Sequence, residues 1–210
     1  MTTRHLATIE RIADIRSIPD ADAIEAAVVR GWTVVVKKGE FAIGDRCVYF
    51  EIDSFLPHVG PFEFLASRGS RIFDDVRGHV LRTIRLRGVY SQGLVLPLAA
   101  FPELTGNDGD GVGEDGRDVS DELGVTKYEA PLPASLSGIA LGEFPTRLAP
   151  KTDSERVQNL VTSWDHLCTY GSWVATEKID GSSMTVINDD GTIRVCSRNL
   201  ELADVASNTL

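Results

Sequence analysis

Apolar and polar positions alternate with a period of two along much of the N-terminal half of the chain, which predicts half-buried β-strands. Ala7-Thr8-Ile9-Glu10-Arg11-Ile12 carries this alternation, and a first strand is read from Leu6 to Arg16. Ser17 to Asp22, with its Pro-Asp step, is a loop. Ile24 to Val29 and Thr33 to Val36 are two β-branched runs joined at Arg30-Gly31. A turn at Lys37 to Glu40 and the pair Gly44-Asp45 precede Arg46-Cys47-Val48-Tyr49-Phe50-Glu51-Ile52, a further strand. Val80 to Leu86 and Gly93 to Leu98 complete the set. Short strands at regular spacing with glycine-rich turns predict a small barrel, and a five-stranded one of OB type fits the count.

The pattern changes beyond this point. Gly106 to Gly116 is rich in Asp and Gly and reads as an acidic loop; it lacks the D-x-D-x-D-G register and closing Glu of a calcium loop. Pro131 to Pro150 holds four prolines and reads as a linker. Thr152-Asp153-Ser154-Glu155 is a capping box, with Thr152 as N-cap and Glu155 reaching back. Val157, Leu160, Val161, Trp164 and Leu167 follow at helical spacing, so a helix is predicted from Asp153 to about His166, with Arg156 and Asn159 on its polar face. Val174-Ala175-Thr176 reads as a short strand. Met184 to Ile187 and Thr192 to Cys196 flank Asn188-Asp189-Asp190-Gly191, a good hairpin signal. The fold class is therefore β-rich α+β. Residues 1–130 form an OB-like barrel with an acidic loop at 103–122, 131–150 a linker, and 151–210 a second module.

Charge sharpens this division. The chain carries a net charge of −10, which argues against nucleic-acid binding by the body as a whole. Between Glu103 and Glu122, however, stand eight acidic residues and one basic, a net of −7, so the remainder carries only −3. Arg68, Arg71, Arg77, Arg82, Arg85 and Arg87 cluster in one short stretch, flanked by Phe62 and Phe64. Two readings stand: a local phosphate-attracting patch, or arginines paired with Asp74, Asp75 and other carboxylates on a solvated face. Phe62 and Phe64 fit core or rim packing better than base stacking. No apolar run approaches a membrane span, and no signal-type stretch follows the N-terminus, so no membrane partner is expected. Cys47, Cys168 and Cys196 are scattered, which argues against a zinc site or disulfide framework and fits a reducing cytoplasm. His5, His58, His79 and His166 show no ligand spacing.

The stretch with most chemistry is Glu177-Lys178-Ile179-Asp180-Gly181-Ser182-Ser183, of the form K-x-D-G. A lysine becomes nucleophilic only where cations or desolvation lower its pKa from about 10.4. Read alone, this is either such a lysine or a surface lysine before an ordinary Asp-Gly turn. The hairpin that follows ends its return strand at Ser197-Arg198-Asn199, so it is placed to bring an arginine toward the lysine.

In this context the E-K-x-D-G-S-S segment resembles motif I of the covalent nucleotidyltransferases, the superfamily of ATP-dependent ligases and capping enzymes. Ser197-Arg198-Asn199 resembles their motif Ia. Lys151-Thr152-Asp153 with Glu155 to Asn159 resembles the segment before motif I in one branch, the Deinococcus-type RNA ligases, which carry an OB-fold module ahead of the adenylyltransferase domain. The resemblance implies an ATP-dependent RNA ligase that works through lysyl-AMP and seals RNA ends bearing a 5′-phosphate and a 3′-hydroxyl. It implies Lys178 as the covalent nucleophile and Asp180 as a ligand of Mg2+ or Mn2+. Glu177, Arg198, Arg156, Gly181 and Ser182 are implied at the nucleotide. The family's later motifs are not found before Leu210, so the chain is expected to be the front part of such a ligase. Two other classes remain: a non-catalytic OB-type RNA-binding module, and a sibling DNA ligase or capping enzyme. In those siblings the OB module usually follows the transferase domain.

Overall fold

The computed structural model describes residues 5–105, 115–130, 138–151, 157–177, 181 and 183–203. They fall into two compact units, Met1–Glu129 and Ala130–Leu210. Among the described residues no helix is long and apolar enough to cross a membrane.

The first unit is built on β5 (Arg46–Phe50), which lies between β1 (Ala7–Arg11) and β11 (Leu94–Pro97), both antiparallel to it. Its sequence is a nearly unbroken apolar run, as a strand covered on both faces requires. Successive residues point to opposite sides. Val48 and Phe50 join one cluster with Leu6, Ile9, Leu56, Phe62, Phe101 and Val125. Cys47 and Tyr49 join a second with Ile12, Val29, Trp32, Val34 and Val95. Phe62 meets Phe50 edge-on at 5.2 Å, and Phe101 packs against both. Phe62 is thus core, while Phe64 stays exposed.

The strand predicted from Leu6 to Arg16 is two strands. Its second half, β2 (Asp14–Ser17), pairs with β3 (Ile24–Val29), which pairs with β4 (Trp32–Lys37) in a separate sheet. Ile12 breaks the ladder. Its side chain is buried and its amide donates to Asp45 O at 3.0 Å, so the chain bends from one sheet into the other. The β3–β4 turn uses Arg30 and Gly31, both at positive φ, as a two-residue hairpin turn demands.

Val80 to Leu86 likewise divides. A third sheet runs in the order β12 (Thr126–Lys127), β6 (Ser54–Pro57), β8 (Val76–Val80), β7 (Arg71–Phe73). β9 (Ile84–Leu86) and β10 (Val89–Ser91) form their own hairpin. A 3₁₀ helix, Gly60–Arg68, lies between β6 and β7. Gly78 on β8 is required for packing: a Cβ there would overlap the Phe55 ring and the Leu56 carbonyl. Residues 116–119 run along the free edge of β1. Ile9 N donates to Arg117 O, and Val119 N to Ala7 O. Buried Ser120 accepts from the amides of Leu6 and Ala7 at 3.1 and 2.9 Å and donates to Asp118 Oδ1 at 2.6 Å.

The second unit contains an antiparallel sheet in the order β13 (Ala140–Glu143), β16 (Leu200–Leu202), β15 (Thr192–Cys196), β14 (Thr185–Asp189). Two sequence expectations change here. The stretch read as a linker contributes β13, whose partner β16 supplies the ladder bonds that local composition could not announce. The predicted long helix is, over its described part, a 3₁₀ helix at Val157–Ser163 leading into a short α1, Trp164–Cys168, which itself buries no residue. A short helix is marginal by itself, and α1 has no buried side chain to stabilise it. The capping box and Arg156 lie outside the described residues, as does the stretch 106–114 of the acidic loop. Val174 to Thr176 forms no strand.

Candidate functional site

The hairpin of the second unit forms as its β-branched runs predict. Thr185 pairs with Cys196 and Asp189 with Thr192. Asp190 and Gly191 turn the chain at φ values of 49° and 89°, and Asn188 Oδ1 accepts from Gly191 N at 2.9 Å. Both turn residues at positive φ match the twist of the flanking strands. Because Thr185 faces Cys196, Gly181, Ser183 and Met184 precede β14 at the same end of the hairpin at which Ser197-Arg198-Asn199 follows β15.

That end closes with a tight turn. Ser197 N donates to Leu200 O at 2.8 Å, and Leu200 N donates to Ser197 Oγ at 3.2 Å. Arg198 and Asn199 stand at the tip, exposed. Asn199 is held from two sides: its carbonyl accepts from Phe144 N at 2.8 Å, and its Oδ1 accepts from Lys151 Nζ at 3.3 Å. Arg198 is thus presented by a braced corner. Of the other candidates, Glu177 and Gly181 are exposed, whereas Lys178, Asp180, Ser182 and Arg156 lie outside the described residues. Among the described residues no three His, Cys, Asp or Glu side chains gather as a metal site.

One charged cluster escaped the sequence reading. Arg194 binds Glu201 at 2.7 Å and Asp189 at 2.9 Å, tying β14, β15 and β16 together. Its hydrogen bond to Glu201, then that to Asp189, raises the arginine's pKa further above its ordinary value. The signal was available: Arg194 is opposite Ile187, which puts Asp189 diagonally across on the same face. Beneath it, burial pushes the Cys196 thiol up, so this cysteine is a packing residue.

In the first unit, the structure sorts the six clustered arginines. Arg68, Arg71 and Arg82 line one cavity of about 390 Å³. Arg85 instead donates to Gly88 O and lies over the Tyr90 ring at 5.4 Å. Among the described residues, the alternative pairing with Asp74 or Asp75 is not formed; those two residues make the β7–β8 turn at positive φ. Only Arg82 of the three cavity arginines meets a described carboxylate, Asp53, at 3.2 Å.

Comparison with known proteins bears on both units. An OB-fold domain profile matches residues 6–98. An RNA ligase profile matches residues 171–209. Among solved structures, the chain is similar to Naegleria gruberi RNA ligase. A mutant form with AMP and Mn is 46% identical with a TM-score of 0.71, the match covering 98% of this chain and 59% of that one. A second mutant form with AMP and Mn is 48% identical, with a TM-score of 0.73 and the same coverage. The form with PPi is 47% identical, with a TM-score of 0.69, again over 98% of this chain and 59% of that one. A comparison with curated proteins gives no match. The chain thus spans about three-fifths of the length of the RNA ligases that it matches. The first unit is an OB-fold domain, and in sequence and fold the chain is similar to part of the RNA ligases that it matches.

Proposed function

We propose that this chain belongs to an ATP-dependent RNA ligase and carries its nucleophile, Lys178. The observation that carries the reading is the match of 46–48% identity, across nearly the whole chain, to RNA ligase structures holding AMP and Mn. Supporting it, the solved relatives include forms altered at a lysine and at an aspartate separated by a single residue, the spacing of Lys178 and Asp180.

In this reading the Lys178 amine attacks the α-phosphorus of ATP. A nitrogen–phosphorus bond forms, the bond to pyrophosphate breaks, and the lysine proton leaves to solvent. AMP then passes from Lys178 to an RNA 5′-phosphate, and the 3′-hydroxyl of the neighbouring strand displaces it. Arg198 suits a phosphate or sugar of the bound nucleotide, because a planar guanidinium makes paired, charge-assisted hydrogen bonds. The braced Ser197–Leu200 turn holds it at the mouth of the hairpin. Glu177 and Ser182, near the lysine in sequence, are assigned to orient it or meet the nucleotide, Gly181 allows the backbone to turn after it, and Arg156 is assigned to the nucleotide from the preceding segment. Asp180 is a hard oxygen donor suited to a hydrated Mg2+ or Mn2+, which when bound would neutralise charge on the phosphates. Scattered free cysteines fit a reducing compartment such as the cytoplasm.

The test is covalent labelling with ATP carrying an α-phosphorus label, with Mg2+ or Mn2+, on this chain and on any longer product of its gene. Label that disappears in Lys178→Ala is the expected result. Absence of label on both chains would leave an OB-type RNA-binding module as the better account.

A further inference from the structure

We infer that Arg68, Arg71 and Arg82 form a cradle on the OB-fold unit that grips a backbone phosphate of the RNA to be joined. This rests on the RNA ligase reading above. The three arginines come from separate elements. Arg68 ends the 3₁₀ helix, Arg71 opens β7, and Arg82 follows β8. Gly69, at φ 117°, makes the corner between the first two, and His79 Nδ1 lies 3.0 Å from its carbonyl oxygen, which fixes the corner to β8.

Tyr128 is what makes this a built site rather than a run of surface charge. Its ring is buried against Phe73 at 5.2 Å, and Phe73 packs on Phe55 at 5.5 Å. Arg71 and Arg82 both lie over that ring, with Cζ atoms 5.9 and 5.6 Å from its centre. Cation–π attraction holds both guanidiniums at one ring although they repel one another. Asp53 offsets the charge of Arg82. Among the described residues, Arg68 and Arg71 meet no carboxylate, so the cavity keeps an excess of positive charge that an anion would relieve.

The chemistry selects phosphate, since guanidinium forks match its oxygens and Arg71 and Arg82 are already positioned. The size selects a strand. A cavity of about 390 Å³ exceeds one phosphate group and accommodates a phosphodiester with its sugar. Tyr128 is covered, so it acts as a positioning residue and not as a stacking platform. A chain with a net charge of −10 needs its cations gathered in this way to hold RNA at all.

The test is fluorescence anisotropy of the whole chain with a labelled nicked RNA duplex bearing a 5′-phosphate, across a salt series. Replacing Arg68, Arg71 and Arg82 together with Ala should weaken binding about tenfold or more and flatten the slope of log affinity against log salt by about 2–3. The matching Lys triple variant should recover the slope, with affinity below that of the parent. Arg85→Ala with Arg87→Ala, outside the cavity, should bind as the parent does. Melting curves establish that each variant is folded. No binding by the parent, equal binding by the Ala triple, or equal loss in the Arg85/Arg87 pair would overturn the cradle. Displacement of the RNA by low millimolar inorganic phosphate would overturn the strand in favour of free phosphate. Loss of the ligase reading is told apart by Lys178 labelling, which involves no RNA.

Discussion

In the OB-fold unit, β5 is covered on both faces, and aromatic rings from three parts of the chain close over it. In the second unit, the four-stranded sheet has the same antiparallel ladder and far less packed against it. Among its described residues only Phe144, Cys196 and Leu202 are buried apolar side chains, while Ile193, Met184 and Trp173 are each 60% exposed or more. A ladder of backbone hydrogen bonds adds little net stability in water, and a hairpin without a covered face is marginal. The comparison separates a rigid platform from a lightly packed segment that carries the nucleophile motif. Elements that must accept ligands and move are drawn from the less stable end of a structure.

The largest expected break in this contrast comes from the platform. Phe50→Ala removes a fully buried ring that touches two others and should cost about 3–5 kcal/mol in denaturant unfolding. Ser120→Ala strips the Leu6 and Ala7 amides of their buried acceptor. A loss of about 1–3 kcal/mol is expected by the same measurement.

Alkaline pH probes the platform differently. Burial, then the nearby charges of Glu10, Asp115 and Asp45, pushes the Cys47 thiol from 9.0 up to about 12. The unfolded chain releases this proton first, so the stabilisation present below pH 9.0 is lost as pH rises toward about 12. Near pH 10.5 the loss should be about 2 kcal/mol. Thermal melts of Cys47→Ala should show a shallower fall over that window, and an unchanged slope would reject the assignment.

Smaller effects belong to the second unit. Arg194→Ala removes two ion pairs and should show as faster amide exchange in β14 and β16 with little change in overall stability. Ile193→Ala, on an exposed face, should fall within about 0.5 kcal/mol of the parent. A loss comparable to that of Phe50→Ala would mean that the face is covered in solution.

Where local chemistry decides structure, the sequence was readable. Asn188 to Gly191 names its own turn, and β5 reads as doubly buried from composition alone. The motif around Lys178 was legible as residue types at fixed spacing, although its central residues lie outside those described. Elements that depend on distant partners were not readable. β13 exists because β16 pairs with it, and Ile12 bends the first strand because a second sheet waits beyond it. The six arginines were visible as a run, but which of them share a cavity, and that Arg71 and Arg82 meet over Tyr128, depends on pairings between distant parts of the chain.

The edge of β1 has a practical consequence. Before the acidic segment, Leu104 is buried and its amide is bound to Phe101 O; after it, residues 116–119 are stitched to β1 and locked by Ser120. Both ends of that insertion are anchored independently of its own length. Loop-closure cost rises only slowly with length. The segment is therefore a natural port for grafting a fluorophore tag or an affinity peptide, leaving the barrel untouched. The paired edge also denies β1 to foreign strands, so such a fusion should remain free of edge-to-edge aggregation.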